Sequence, residues 1–106
     1  MNISNWTDVA AEADLFEGAG IALTPEGQDI ALFKLEDGVY AINNLCTHGN
    51  AKLCDGFVEG DHVECPFHQA QFSLRDGSVA CGPATEPAKI WPVTGEGGRV
   101  FLLLTS

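Results

Sequence analysis

Basic residues are scarce in this sequence. Five Lys and Arg stand against fifteen Asp and Glu, a formal net charge of −10. Neutralising a row of phosphates needs a basic face, so nucleic acid is excluded as a partner, and the acidic surface would steer the chain toward a basic one. Long apolar runs are missing as well. No stretch approaches the roughly 20 residues of a membrane-spanning helix. The opening segment MNISNWTDVAAEADLFEG carries acids and has neither the basic region nor the apolar run of a signal peptide. No membrane attachment is therefore expected, and the expected location is the cytoplasm. There, four cysteines point to metal or to chance sooner than to a disulfide framework. Repeats, low-complexity tracts and linkers are absent.

What is present suits one folded unit. A chain of 106 residues, 45% hydrophobic and 19% charged, has material for one modest core, so residues 1–106 read as a single domain. Helical signal is confined to TDVAAEADL, which could hold a turn or two after a Thr7 or Asp8 cap. Strand signal is stronger. DIALFKL, GVYAINNL and RVFLLL are β-branched, aromatic and aliphatic runs bounded by Pro25/Gly27, Asp37-Gly38, Asp76-Gly77 and the Gly95–Gly98 cluster. LFKLEDGVYAI reads as a hairpin turning at Glu36-Asp37-Gly38. Apolar side chains occupy both parities of Arg99–Leu104, which predicts a strand buried on both faces. Dense turns and short strands predict an all-β sandwich or partly open barrel, with residues 45–85 as an excursion from that core.

Chemistry concentrates in that excursion, in NLCTHGNAKLC and VECPFHQAQF. Cys46 stands two residues before His48, and Cys65 three before His68. Thiolate and imidazole are the ligands of soft and borderline metals, which leaves zinc or iron as the main choices. A zinc reading needs all four side chains on one tetrahedral ion. Zinc hooks usually pair like ligands, whereas each hook here is mixed, an alternation that suits two metals, one held by both sulfurs and the other by both nitrogens.

CTHGN and CPFH resemble the paired C-x-H and C-x-x-H loops of the Rieske family. The resemblance extends over nearly the whole chain. CDGFVEGDHVECP is similar to the stretch that follows the first loop in small Rieske proteins, and CGPATEPAK resembles their proline-containing third loop, with Gly82-Pro83 as the cover over the sulfurs. The sequence as a whole resembles the Rieske-type ferredoxins of bacterial aromatic-ring-hydroxylating dioxygenase systems. The resemblance implies a Rieske fold, an antiparallel β-sandwich core with a smaller cluster-binding subdomain of loops and short strands. It implies one Rieske-type 2Fe–2S cluster, with Cys46 and Cys65 on one iron and His48 and His68 on the other. By the same resemblance the imidazoles reach the surface, where electrons enter and leave.

The resemblance also implies a role. The chain would be a monomeric one-electron carrier between a flavin-dependent NAD(P)H ferredoxin reductase and a terminal Rieske oxygenase. It would not itself be an enzyme, since only His62 remains beyond the ligands and a 2-His-1-carboxylate iron site cannot be built. Other readings are a Rieske small subunit of a multi-subunit oxidoreductase such as nitrite reductase, and a zinc-stabilised interaction module. Respiratory Rieske proteins carry an extra Cys in each loop and Ser and Tyr hydroxyls after the second. The matching positions here are Ala51, Phe67, Ala70 and Phe72. Without those hydroxyls, on a chain of this charge, the potential is expected below zero in a span of roughly −150 to +300 mV.

The remaining residues have plainer readings. Cys54 and Cys81 read as small buried hydrophobes, with a disulfide between them the lesser alternative. His62 reads as a surface side chain, and Trp6 and Trp91 as packing residues. Phe67 and Phe72 would shield the cluster. Asp55, Glu59, Asp61 and Glu64 form either a docking patch for a basic partner or an ordinary solvated face.

Overall fold

The computed structural model describes residues 6–46, 51–66, 70–81 and 86–104. In chain order its strands are β1 (Thr7–Ala11), β2 (Gly20–Leu23), β3 (Ile30–Leu35), β4 (Gly38–Asn43), β5 (Phe57–Glu59) and β6 (His62–Glu64). β7 (Gln71–Ser73), β8 (Val79–Cys81), β9 (Ile90–Trp91), β10 (Val93–Glu96) and β11 (Arg99–Leu102) follow. They form three antiparallel sheets in the orders β1-β11-β10, β2-β3-β4-β9 and β5-β6-β7-β8. The all-β architecture expected from the sequence is what the described residues adopt, apart from three short 3₁₀ turns.

The layer order follows from one strand. Successive side chains in a strand point to opposite faces, and in β3 both faces are apolar. Ala31, Phe33 and Leu35 join a buried cluster with Val63, Phe72 and Leu74 of the third sheet and its turns. Ile30 and Leu32 join a second cluster with Trp91, Val100 and Leu102 against the first sheet. The second sheet is thus the middle layer. Its neighbour strand obeys the same parity, since Ile42 pairs with Ala31 and Ala41 with Leu32, and the four residues divide between the two clusters accordingly. The predicted hairpin forms with Leu35 opposite Gly38, so the turn proper is Glu36-Asp37.

Two expectations are corrected. TDVAAEADL is not helical. Thr7–Ala11 is a strand on β11, and only Glu12–Asp14 make a 3₁₀ turn. Local alanine propensity loses to pairing with a distant strand, and Asp8, expected as a cap, instead receives Arg99 Nε and Nη2 at 2.8–3.1 Å. The strand buried on both faces is β3 and not β11. In β11 and the residues after it Val100, Leu102 and Leu104 are buried while Phe101 and Leu103 are only partly covered, because the first sheet is an outer layer.

The third sheet is tied to the middle one behind the 86–88 segment. Gly77 donates to the Ser73 carbonyl and accepts from the Ala88 N–H, both at 2.8 Å. Its φ is +80°, and a β-carbon there would stand 2.0 Å from the Ala88 carbonyl oxygen. Gly77→Ala should therefore lose about 1–2 kcal/mol from the left-handed backbone alone, with the clash added. Urea unfolding checks this, and a midpoint equal to that of the parent would refute it.

Candidate metal centre

The first cysteine loop leaves the end of β4, and the second connects β6 to β7. Both are closed in the same way. Cys46 N–H donates to the Ala51 carbonyl at 2.9 Å, and Cys65 N–H to the Ala70 carbonyl at 2.8 Å. Each loop thus returns on itself five residues after its cysteine and lands on a buried alanine, 1% and 0% exposed. Cys46 and Cys65 are 2% and 0% exposed and belong to one contiguous apolar cluster with Ala51, Leu53, Ala70 and Phe72. Neither is in a disulfide.

This arrangement fits a metal group that takes two thiolates from one side. Two loops closed at the same five-residue spacing deliver two cysteines into one buried apolar cluster, where a thiolate pair is tolerated only beside a compensating cation. His48 and His68 lie outside the described residues, as do Phe67, Gln69 and Gly82-Pro83. Ala70 and Phe72 are fully buried and carry no hydroxyl.

Two polar networks escaped the sequence reading. One braces the first loop. Asn44 is 2% exposed, donates from Nδ2 to Asp29 Oδ1 at 3.0 Å and accepts the Cys54 N–H on Oδ1 at 2.8 Å. Lys52 Nζ pairs with the other Asp29 oxygen, and the Lys52 and Asn44 hydrogen bonds hold that carboxyl below its ordinary range. A polar residue continuing the buried run Ala41-Ile42 was the available signal.

The other network clasps two sheets at the end away from the loops. Arg75, in the β7–β8 turn, donates to Asp37 Oδ2 at 2.8 Å and Tyr40 Oη at 2.9 Å on the β3–β4 hairpin. It also donates to Asp61 Oδ2, in the β5–β6 turn, at 2.9 Å. Turn-rich sequence gave no sign of it.

The plainer residues fall as follows. Cys54 is half-buried, forms no disulfide, and has its thiol pushed up by burial. The side chain of Cys81 lies outside what is described. His62 is partly exposed, with Nδ1 3.3 Å from Asp61 Oδ1. Trp91 is buried in the second core and Trp6 partly covered. Of the four acids, Asp61 is held by Arg75 and Glu64 accepts from Gln71 Nε2 at 3.1 Å, while Asp55 and Glu59 stay exposed.

The clasp sets an acid-range dependence. Hydrogen bonds from Arg75 hold the Asp37 and Asp61 carboxyls below their ordinary value. Depressed carboxyls contribute stability that is present above the unfolded value of about 3.9 and is lost as pH falls through the folded values. Arg75→Met should therefore lower the melting temperature at pH 7 and lower it much less near pH 3. An equal gap at both pH values would rule the clasp out.

Residues 5–92 match the family model described as "Rieske [2Fe-2S] domain". The chain is 41% identical over 100 residues to the naphthalene 1,2-dioxygenase system ferredoxin component of Pseudomonas putida, covering 94% of this chain and 96% of that one. Among solved structures it is similar to a chain of the complex of reduced oxygenase and oxidised ferredoxin in carbazole 1,9a-dioxygenase. There the identity is 34%, the TM-score 0.85, and the coverage 92% of this chain and 91% of that one. A putative NADH-dependent nitrite reductase small subunit from Mycobacterium tuberculosis is less similar, 28% identical at a TM-score of 0.82, covering 92% of each chain.

Proposed function

The chain belongs to the Rieske [2Fe-2S] domain family and binds one cluster of that type, and from that premise we propose that it is the ferredoxin of an aromatic-ring-hydroxylating dioxygenase system. It is an electron-transfer component and not an enzyme; attack on the aromatic ring belongs to the terminal oxygenase it serves. A flavin-dependent NAD(P)H reductase supplies the electrons. The carrier works as a monomer in the cytoplasm, as one Rieske domain over residues 1–106 with its cluster-binding part at about 45–85. Likeness to dioxygenase ferredoxins over almost their full length supports this over a permanent subunit of a nitrite reductase, to which the likeness is lower. The 2Fe–2S family displaces the zinc-module reading.

The observation that carries the assignment is the matched pair of closed loops. Cys46 and Cys65 bring their sulfurs from two chain reversals into one buried cluster, which supports these two as the residues that would hold one iron. His48 and His68, two and three residues further along each loop, would hold the other. When bound, the cluster supplies a one-electron couple. The protein's part is to exclude water from the sulfur side through Ala51, Leu53, Ala70 and Phe72, and to offer no hydroxyl at Ala70 and Phe72. Fewer donors to sulfur leave the reduced form less stabilised, which lowers the potential and favours passing the electron on to the oxygenase.

An EPR spectrum of the dithionite-reduced protein, with iron and acid-labile sulfide analysis, tests the assignment. A rhombic signal of low average g with about two irons and two sulfides per chain is expected; silence with one zinc would end it. The potential should lie below zero. Ala70→Ser with Phe72→Tyr should raise it by about 40 mV per new hydrogen bond, from about 1 kcal/mol each in a one-electron couple. An unmoved potential would sink the account of redox poise.

A further inference from the structure

We propose that Asn44 is a positioning residue for the cluster: its buried carboxamide, braced from outside by Asp29 and Lys52, fixes the direction in which the Cys46 loop leaves the middle sheet. The inference rests on Cys46 being a cluster ligand. Asn44 is the one buried polar side chain among the described residues, and every contact it makes serves the feet of that loop.

The two feet are residues 44–46 and 51–54. Three steps stitch them together. Cys46 N–H donates to the Ala51 carbonyl, Leu45 bridges Lys52, and the Leu53 N–H donates to the Asn44 carbonyl at 2.6 Å. The Asn44 side chain adds a fourth stitch by accepting the Cys54 N–H at 2.8 Å. It also ties the stitched feet to something outside themselves, since Nδ2 donates to Asp29 Oδ1, and the Asn44 N–H donates to the Asp29 carbonyl, each at 3.0 Å. Lys52 reaches back from the second foot to the remaining Asp29 oxygen. Lys52 and Asp29 are 48% and 33% exposed, so their ion pair is weak by itself. Its effect is to hold the carboxylate with one oxygen toward Asn44.

Comparison of the loops shows why such a brace is needed in one place. The feet of the Cys65 loop continue the β6–β7 ladder, with Glu64 opposite Gln71 and Val63 opposite Phe72. Sheet pairing alone sets that loop's direction. The only β-bridge between the described feet of the Cys46 loop is the isolated Leu45–Lys52 pair, outside any named strand. A two-stranded ribbon of this length has little stability from its own pairing. Asn44 is where the ribbon is pinned, two residues from the sulfur.

Three variants of the cluster-loaded protein test this. Asn44→Leu removes both side-chain bonds at similar volume, Asn44→Ser is a milder loss, and Asp29→Asn keeps an acceptor oxygen for Asn44 while dropping the ion pair. The readouts are the EPR g-values after dithionite reduction, the reduction potential, and the rate of bleaching in EDTA. Both Asn44 variants should bleach about tenfold faster or more, as outer partners of metal ligands typically do when removed, with altered g-values. Asp29→Asn should bleach at a rate between those of the parent and Asn44→Leu, because Asn44 keeps an acceptor oxygen whose orientation the ion pair no longer holds. A lowered melting temperature alone, with parental g-values, potential and bleaching, would overturn the proposal and leave Asn44 as a packing residue. Asp29→Asn bleaching faster than Asn44→Leu would overturn it too, by moving the effect from the Asn44 carboxamide to the Asp29 charge. If Asn44→Leu fails to fold, Asn44→Ser and Asp29→Asn decide on the same readouts. A parent protein lacking the 2Fe–2S signal would sink the cluster ligand assignment itself; a loaded parent with indifferent Asn44 variants would sink only this inference.

Discussion

A hydrogen bond from the amide of a buried cysteine to the carbonyl of a buried alanine five residues on, made once at Cys46 and once at Cys65, sets the terms for the rest of the structure. Each bond closes a chain reversal and points a sulfur-bearing carbon inward. One such bond closes each loop but does not by itself orient it on the rest of the molecule. The sheets provide the fixed frame. β4 carries the first loop from the middle layer, and the β6–β7 hairpin carries the second from an outer one. The middle layer is rigid because β3 is packed on both faces, leaving no solvated side on which to shear.

The few basic side chains are committed to joints between these parts. Arg99 fastens β1 to β11 through Asp8, Arg75 fastens the third sheet to the β3–β4 hairpin, and Lys52 fastens the first loop to Asp29. All three are about half exposed, so each pair is worth little in isolation. Their value lies in where they act. Three of five cations are partnered in this way, which leaves most of fifteen acids without a fixed counter-charge. Such a surplus would oppose an added electron on the proposed cluster.

Legibility from sequence divides along contact distance. The β3–β4 hairpin and the two cysteine loops were readable because turn chemistry and ligand spacing are local. The exchange of roles between β3 and β11 was not, since a run of apolar residues at both parities looks the same in a central layer and an outer one. Thr7–Ala11 misled because alanine favours helix locally, while its actual partner β11 lies some 91 residues away at the Asp8–Arg99 pair. Asn44 and Arg75 stayed hidden for a related reason. Their partners Asp29 and Asp37 are 15 and 38 residues off, and no periodicity signals a side-chain bond of that span.

The two sulfurs are thus carried by different sheets. Their separation is not a property of either loop but of how the middle and third sheets pack, through the shared cluster of Phe33, Ile42, Val63 and Phe72 and through Arg75 at the far end. A group that binds both cysteines therefore bridges the two layers at the end opposite the Arg75 clasp. It acts as a tie of the same kind as that clasp, with covalent ligand bonds in place of exposed ion pairs. Since the unfolded chain presents no such pair of sulfurs, the free energy of loading is in part free energy of docking the sheets. Small size makes this coupling useful. A chain of 106 residues divided among three sheets has a modest core to share between its interfaces, and a metal group held by both cysteines would add to the docking of the middle and third sheets.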